Sequence, residues 1–277
     1  DGIRDYKVTG VQTCALPILS NNIIFAGDSF TWGQGIQYYS DFQDIKRMPN
    51  NQYIKNYLTD EHISFIKNNR FARIVSNHFN MNEIVKSENG GSDEESIDFI
   101  YKNLNDQTKA VVLQTTQPIR CPFVFTYNNL IYKVYAHSIH LIDSPEIQIF
   151  KNYVIENNIN IDDLFYNLKQ DIIKKIINLI KLLEDKKIKF ILTSWTNEYM
   201  DEFQNNKLIK KYLLNINYNN FNFNTFESLM NMFHDLRIVN DVDYFNGDTP
   251  KDWHMNLKCH HVVAKSIIEK LNKEFTN

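Results

Sequence analysis

Three short apolar runs punctuate the chain, at residues 22–26, 110–115 and 187–195. They are rich in Ile, Val, Leu and Phe and too brief for helices, which marks them as strands buried on both faces. Between them the apolar positions follow helical spacing. Phe71, Ala72, Ile74, Val75 and Phe79 form one such stripe, and Ile97, Phe99, Ile100 and Leu104 a second. A longer amphipathic helix is predicted over 162–183, where Leu164, Leu168, Ile172, Ile176, Ile177, Ile180 and Leu183 share a face. The last helix is predicted over 257–275, with Val262, Val263, Ile267, Ile268 and Leu271 turned inward. Strands alternating with helices predict an α/β fold, a three-layer α/β/α sandwich around a parallel sheet.

Two stretches exceed what such a sandwich needs. Residues 36–63 and 119–160 are long, aromatic-rich insertions, the second expected to hold a hairpin near 126–136. Long ordered loops tend to be binding surfaces, so Tyr38, Tyr39, Phe123, Phe125 and Tyr127 either line one or simply pack the insertions.

Composition narrows the field. A net charge of −3 offers no electrostatic case for nucleic acid, and no apolar run approaches the ~18 residues of a membrane span. The first eighteen residues resemble the translation of a sequencing adapter fused in frame, so they are left out of the fold and 19–277 is read as a single domain. Cys14 leaves with that tail. Cys121 and Cys259 remain, too few for a disulfide framework, which points to a cytoplasmic setting. The picture is of a soluble protein acting on a small or surface-exposed substrate.

The first strand ends in Gly27-Asp28-Ser29 and then turns polar, delivering a serine to the edge of the sheet. A serine hydroxyl must lose its proton as it attacks, so it needs a base within hydrogen-bond reach. His254 stands on a loop just before the last helix, and loops that follow parallel strands gather along one rim. Asp252 lies two residues before it and can orient the imidazole, with Asp248 as the competing carboxylate.

Gly27-Asp28-Ser29-Phe30-Thr31-Trp32-Gly33 resembles the first sequence block of the SGNH/GDSL hydrolase superfamily. Asp252-Trp253-His254, followed by Asn256, His260 and Ala264, resembles its last block. The resemblance implies a flavodoxin-like sheet, a Ser29-His254-Asp252 catalytic set, and ester hydrolysis or acyl transfer without metal or other cofactor. Asn89-Gly90-Gly91-Ser92-Asp93 is similar to the block that donates a backbone N–H to the oxyanion, with Gly90 chosen over Gly91 as the donor beside the amide of Ser29. The family's third donor is usually an asparagine after the next strand. Here Gln114, Thr116 and Gln117 occupy that stretch, so Thr116 or Gln117 is expected to serve, and Arg120 and Trp32 to contact substrate. The Asp-x-His spacing is also reminiscent of SGNH-type O-acyltransferases, and the missing asparagine of catalytically inactive carbohydrate-binding relatives. His254, Cys259, His260 and His261 match no common zinc spacing, and no metal is expected.

Overall fold

A computed structural model describes residues 21–40, 58–87, 91–135, 144–241, 243 and 252–276. Residues 1–20, Gly90, Asp248 and parts of both insertions lie outside the described residues. The central sheet is four parallel strands in the order β2-β1-β3-β6, where β1 is Asn22–Gly27, β2 Asn82–Ser87, β3 Thr108–Thr115 and β6 Lys189–Ser194. Between β3 and β6 the chain makes an antiparallel hairpin of β4 (Pro122–Tyr127) and β5 (Leu130–Tyr135). A second small pair, β7 (Ile216–Tyr218) and β8 (Phe221–Phe223), follows. The fifth position of a flavodoxin-like order is reduced to parallel bridges beyond β6, Leu192 with Leu213 and Ser194 with Thr225.

Strand periodicity builds the layers. Ile23 and Phe25 of β1, Ala110 and Val112 of β3 and Ile191 of β6 face one way. They meet Phe71, Ala72 and Val75 of one helix (α3, Phe71–His78) and Val263, Ala264, Ile267 and Leu271 of the last (α10, Leu257–Phe275). The alternate residues Ile24, Ala26, Val111, Leu113, Phe190 and Leu192 face the opposite way. There they pack on Ile97 and Ile100 of α4 (Asp93–Asn103) and on Ile176, Leu179, Ile180 and Leu183 of α6 (Ile161–Asp185). Each Val, Leu, Ile or Phe side chain among them, fully withdrawn from water, contributes about 1.5–3 kcal/mol. The remaining helices are α1 (Ser29–Trp32), α2 (Asp60–Asn69), α5 (Pro145–Glu156), α7 (Met200–Asn205), α8 (Lys207–Lys210) and α9 (Phe226–Met232).

The 119–160 insertion is cored by itself. Asn128 and Asn129 both take positive φ, 50° and 62°, the two-residue turn that matches strand twist. Phe123 stacks on Phe125 at 5.7 Å, and both meet Phe150 of α5 edge-on. Tyr38 and Tyr39 are buried against Ile238. Tyr38, Tyr39 and Phe125 thus fill interiors, whereas Phe123 and Tyr127 are half-buried and Phe123 also lines a surface cavity with Cys121, Val124 and Lys175.

The turn that leads into Ser29 is shaped by close approach. A Cβ on Gly27 would lie 2.3 Å from Thr31 Oγ1 and 2.6 Å from Gln114 Oε1. Those two atoms are already hydrogen-bonded to each other at 2.9 Å, and Gln114 Oε1 also accepts from Asp28 N–H at 3.2 Å. Gly27→Ala is therefore expected to destabilise the fold by roughly 1–3 kcal/mol, the cost of overpacking a filled interior, and to lower the urea unfolding midpoint without changing the slope.

Candidate active site

The strands deliver their carboxyl ends to one rim. Ser29 follows β1, residues 116–120 follow β3 and Trp195 follows β6, so all three loops meet where the connection order reverses around β1. Asp28 caps α1 by accepting from Phe30 N–H at 3.1 Å, which turns the chain so that Ser29 opens the helix. At that first turn the Ser29 N–H has no intrahelical acceptor.

The opposite wall is a loop pinned along its backbone. Ile238 N–H donates to His254 O, Val239 N–H to Asp252 O and Asn256 N–H to Leu236 O, at 3.1, 3.1 and 3.0 Å. Asn256 then ends the loop and caps α10, its Oδ1 accepting from Cys259 N–H at 2.9 Å while its Nδ2 donates to Asp235 O at 2.7 Å. Gly35, at φ +94°, lets the chain pass close under this loop, where an added Cβ would lie 1.8 Å from Ile238 Cδ1.

Between the two walls the expected residues converge. His254 Nε2 lies 2.8 Å from Ser29 Oγ, and His254 Nδ1 lies 2.6 Å from Asp252 Oδ1. A carboxylate offers only acceptors, so Nδ1 carries the ring proton and Nε2 turns its lone pair to the serine hydroxyl. Asp252 Oδ1 also accepts from His254 N–H at 3.0 Å, fixing the residue twice. Asp252 Oδ2 is buried and has no hydrogen-bond partner among the described residues. Burial, followed by the nearby charge of Asp252, pushes the Tyr38 hydroxyl up to about 12. The Phe30 ring sits between His254, at 4.8 Å, and Trp195, at 5.1 Å.

The loop after β3 departs from the sequence reading. Thr116 was expected as an oxyanion donor, but its N–H donates to Asp93 Oδ1 at 2.7 Å and its hydroxyl to Asp28 Oδ2 at 2.9 Å, so both donors are committed. Gln114 is likewise turned away, its Nε2 donating to Thr115 O at 2.9 Å. Gln117 stands at the rim with its Nε2 on Glu198 Oε1 at 3.2 Å. Arg120 reaches Asp28 Oδ2 at 3.1 Å and covers the Trp195 ring at 4.9 Å. Trp32 closes α1 half-buried, and nothing among the described residues ties its ring to the Ser29–His254 pair. Gly90 lies outside the described residues, while Gly91 is buried just ahead of α4.

His260 is a core residue. Its Nδ1 accepts from Phe71 N–H at 3.4 Å, its ring stacks on Phe71 at 5.8 Å, and burial first, then the charges of His261, His254 and Arg70, lower it to about 3. Among the described residues no group of three or more His, Cys, Asp or Glu side chains is placed to hold a metal ion. No described helix is long and apolar enough to cross a membrane.

Sequence reasoning did not single out Asp93. Wholly buried, it accepts from Thr116 N–H and, on its other oxygen, from Tyr199 OH at 2.7 Å. The Ser92 capping box with Glu95, legible in the sequence, is what sets it at the start of α4.

No family model matches the chain, and no curated protein matches it. Solved structures similar in backbone trace include a carbohydrate esterase whose active site displays divergent catalytic and non-catalytic binding functions (14% identity, 93% of this chain and 70% of that one, TM-score 0.43). Others are the acetyl xylan esterase Est2A from Butyrivibrio proteoclasticus (12%, 94% and 65%, 0.45) and the esterase EstA from Pseudoalteromonas sp. (10%, 93% and 100%, 0.44). A protein described as a lipolytic protein of the G-D-S-L family, from Desulfitobacterium hafniense, is also similar (10%, 90% and 98%, 0.37). The likeness is one of trace, and the chemistry rests on the side chains of this chain.

Burial, opposed by the bonds from Thr116 and Tyr199 and reinforced by the charge of Asp28, pushes the Asp93 carboxyl up from 3.8 to about 7. In that window the folded chain holds a proton that the unfolded chain has lost, so this residue lowers stability as pH rises from 3.8 to about 7, with no further loss above. Asp93→Asn is expected to remove this part of the slope, which urea unfolding midpoints between pH 4 and 8 would report.

Proposed function

We propose that the protein is a serine esterase of the SGNH type, hydrolysing a carboxylic ester of a small molecule or carbohydrate through an acyl-enzyme. One observation carries the reading: Ser29 Oγ, His254 and Asp252 stand in a continuous hydrogen-bonded line, with links of 2.8 and 2.6 Å. In this reading Ser29 Oγ attacks the acyl carbonyl while His254 Nε2 takes the hydroxyl proton. Asp252 holds the tautomer and stabilises the imidazolium that forms. The negative charge that develops on the carbonyl oxygen is met by the N–H of Ser29 and of Gly90, with the Gln117 side chain at the rim as the third donor. The tetrahedral intermediate collapses as His254 returns the proton to the departing alcohol oxygen and the C–O bond breaks. Water, deprotonated by the same imidazole, then attacks the acyl-serine and frees the acid.

The environment supports this division of labour. Asp28, which precedes the nucleophile, is not a rival base: its side chain caps α1 and accepts from Thr116 and Arg120. The guanidinium offsets the Asp28 carboxylate, so the nucleophile turn carries no uncompensated negative charge against an attacking alkoxide.

A small fluorophosphonate should label the wild-type protein, and Ser29→Ala should abolish both the label and hydrolysis of phenyl acetate. Asp252→Asn should leave the fold intact and reduce kcat by roughly 10³–10⁴-fold, the scale seen when a buried orienting carboxylate no longer selects the tautomer. Absent labelling of wild type, or equal labelling of Ser29→Ala, would remove the nucleophile. Supplying a glycan acceptor with an acetyl donor and following both free acid and acylated glycan separates hydrolysis from acyl transfer.

A further inference from the structure

A cavity of about 280 Å³ is lined by Trp195, Glu227, Met230, Asn231, Arg237 and Trp253, and two of these residues connect it to the Ser29–His254 pair. Its place follows from chain and packing. Trp253 immediately precedes His254, and Trp195 stacks on Phe30, whose ring also packs on the His254 imidazole. Trp195 is half-buried and Trp253 is 63% exposed, an indole left open to solvent at the mouth of a site. Its orientation is set by the Arg237 guanidinium, 5.1 Å from the ring centroid, which is itself hydrogen-bonded to Asn231 Oδ1. Glu227 is positioned too, with Oε2 accepting from the backbone and side-chain N–H groups of Asn197 at 3.3 and 3.4 Å.

The lining is mixed in a particular way. Two indole faces and a methionine offer apolar surface, while a carboxylate, an amide and a guanidinium ring the same space with acceptors and fork donors. A simple hydrocarbon would desolvate those polar groups without offering them a hydrogen bond in place of water. A sugar ring answers both, since its C–H face stacks on an indole and its equatorial hydroxyls reach outward to donors and acceptors. The volume sits just under the ~300 Å³ at which small-molecule pockets ordinarily begin, room for one ring and not for a chain.

The chemistry decides which half of an ester belongs here. His254 Nε2 must deliver its proton to the leaving oxygen, so the alcohol departs on the imidazole side of Ser29, and the loop that carries His254 carries Trp253 one residue earlier. We propose that this cavity is the subsite for the alcohol half of the ester and that the alcohol is a pyranose. This rests on the serine esterase reading, and it names the substrate class of the same site.

The test compares kcat/KM for a monoacetylated methyl glucopyranoside, phenyl acetate and ethyl acetate, whose alcohol has no ring to stack. Trp253→Ala is expected to lower the ratio of sugar acetate to ethyl acetate at least tenfold, chiefly through KM. Glu227→Gln is expected to lower it severalfold while the ratio of phenyl acetate to ethyl acetate stays put. Unchanged sugar ratios in both variants would overturn the proposal. So would a loss confined to phenyl acetate in Trp253→Ala, which would assign the cavity to aryl alcohols. If the wild type hydrolyses none of the three esters, the esterase reading fails and the subsite is judged by binding. A change in tryptophan fluorescence on titrating the sugar acetate, lost in Trp253→Ala, would uphold it, and no change in wild type would end it.

Discussion

A hydrogen bond of 2.8 Å between Ser29 Oγ and His254 Nε2 joins side chains 225 positions apart, and most of the fold's local devices hold one end or the other. At the serine end, Gly27 permits a backbone approach that no side chain would fit, Gln114 braces Asp28 and Thr31, and Asp28 starts the turn of helix. At the histidine end, three backbone hydrogen bonds tie 252–256 to 236–239, and Asn256 joins the loop to the capped start of α10. Beyond the buried Gln114 amide and the Arg120 guanidinium at the serine end, long side chains play little part. Both ends are set by main-chain bonds and short caps, whose geometry varies little, and that is what a donor–acceptor distance of this kind requires.

Carboxylates crowd this rim, and each is handled differently. Asp252 spends one oxygen twice on His254. Asp28 shares an oxygen between Thr116 and Arg120. Asp93 has a hydrogen bond on each oxygen and only the weak pull of the Arg120 charge against it, with no ion pair among the described residues, and burial holds it largely protonated until near neutrality. Thr116 links the last two through its amide and its hydroxyl, so a residue that reads as a free donor in the sequence is a tie between two acids. A loop after a strand presents several donors, and which of them face inward depends on partners that come from other parts of the chain.

That dependence explains what was legible. The strands could be read because residues buried on both faces form unbroken apolar runs, and the long helix because its stripe repeats through many turns: 162–183 was expected and Ile161–Asp185 is found. Ser29, His254 and Asp252 could be placed because a strand end, a pre-helix loop and a two-residue offset are local features. Glu227 and Arg237 left no such mark. They sit among ordinary polar positions and gain meaning only when α9 and the 236–239 segment are folded beside Trp253. The reduction of the fifth strand to single bridges at Leu213 and Thr225 was equally hidden, since a bridge needs one residue and carries no pattern. The aromatic insertions were visible as insertions, but aromatic content does not distinguish a lining from a small core.

The hairpin between β3 and β6 carries its own aromatic interior, and the two asparagines at its tip supply a turn that needs nothing from the rest of the molecule. Its exterior, where Val124, Leu130 and Ile131 stand in solvent, can vary or lengthen while the rim that carries Ser29 and His254 keeps its spacing, because the hairpin's aromatic cluster, closed by Leu164 and Phe165 of α6, is separate from the one behind that rim. A scaffold arranged this way can acquire new habits of recognition at one address while its chemistry, housed at another, stays the same.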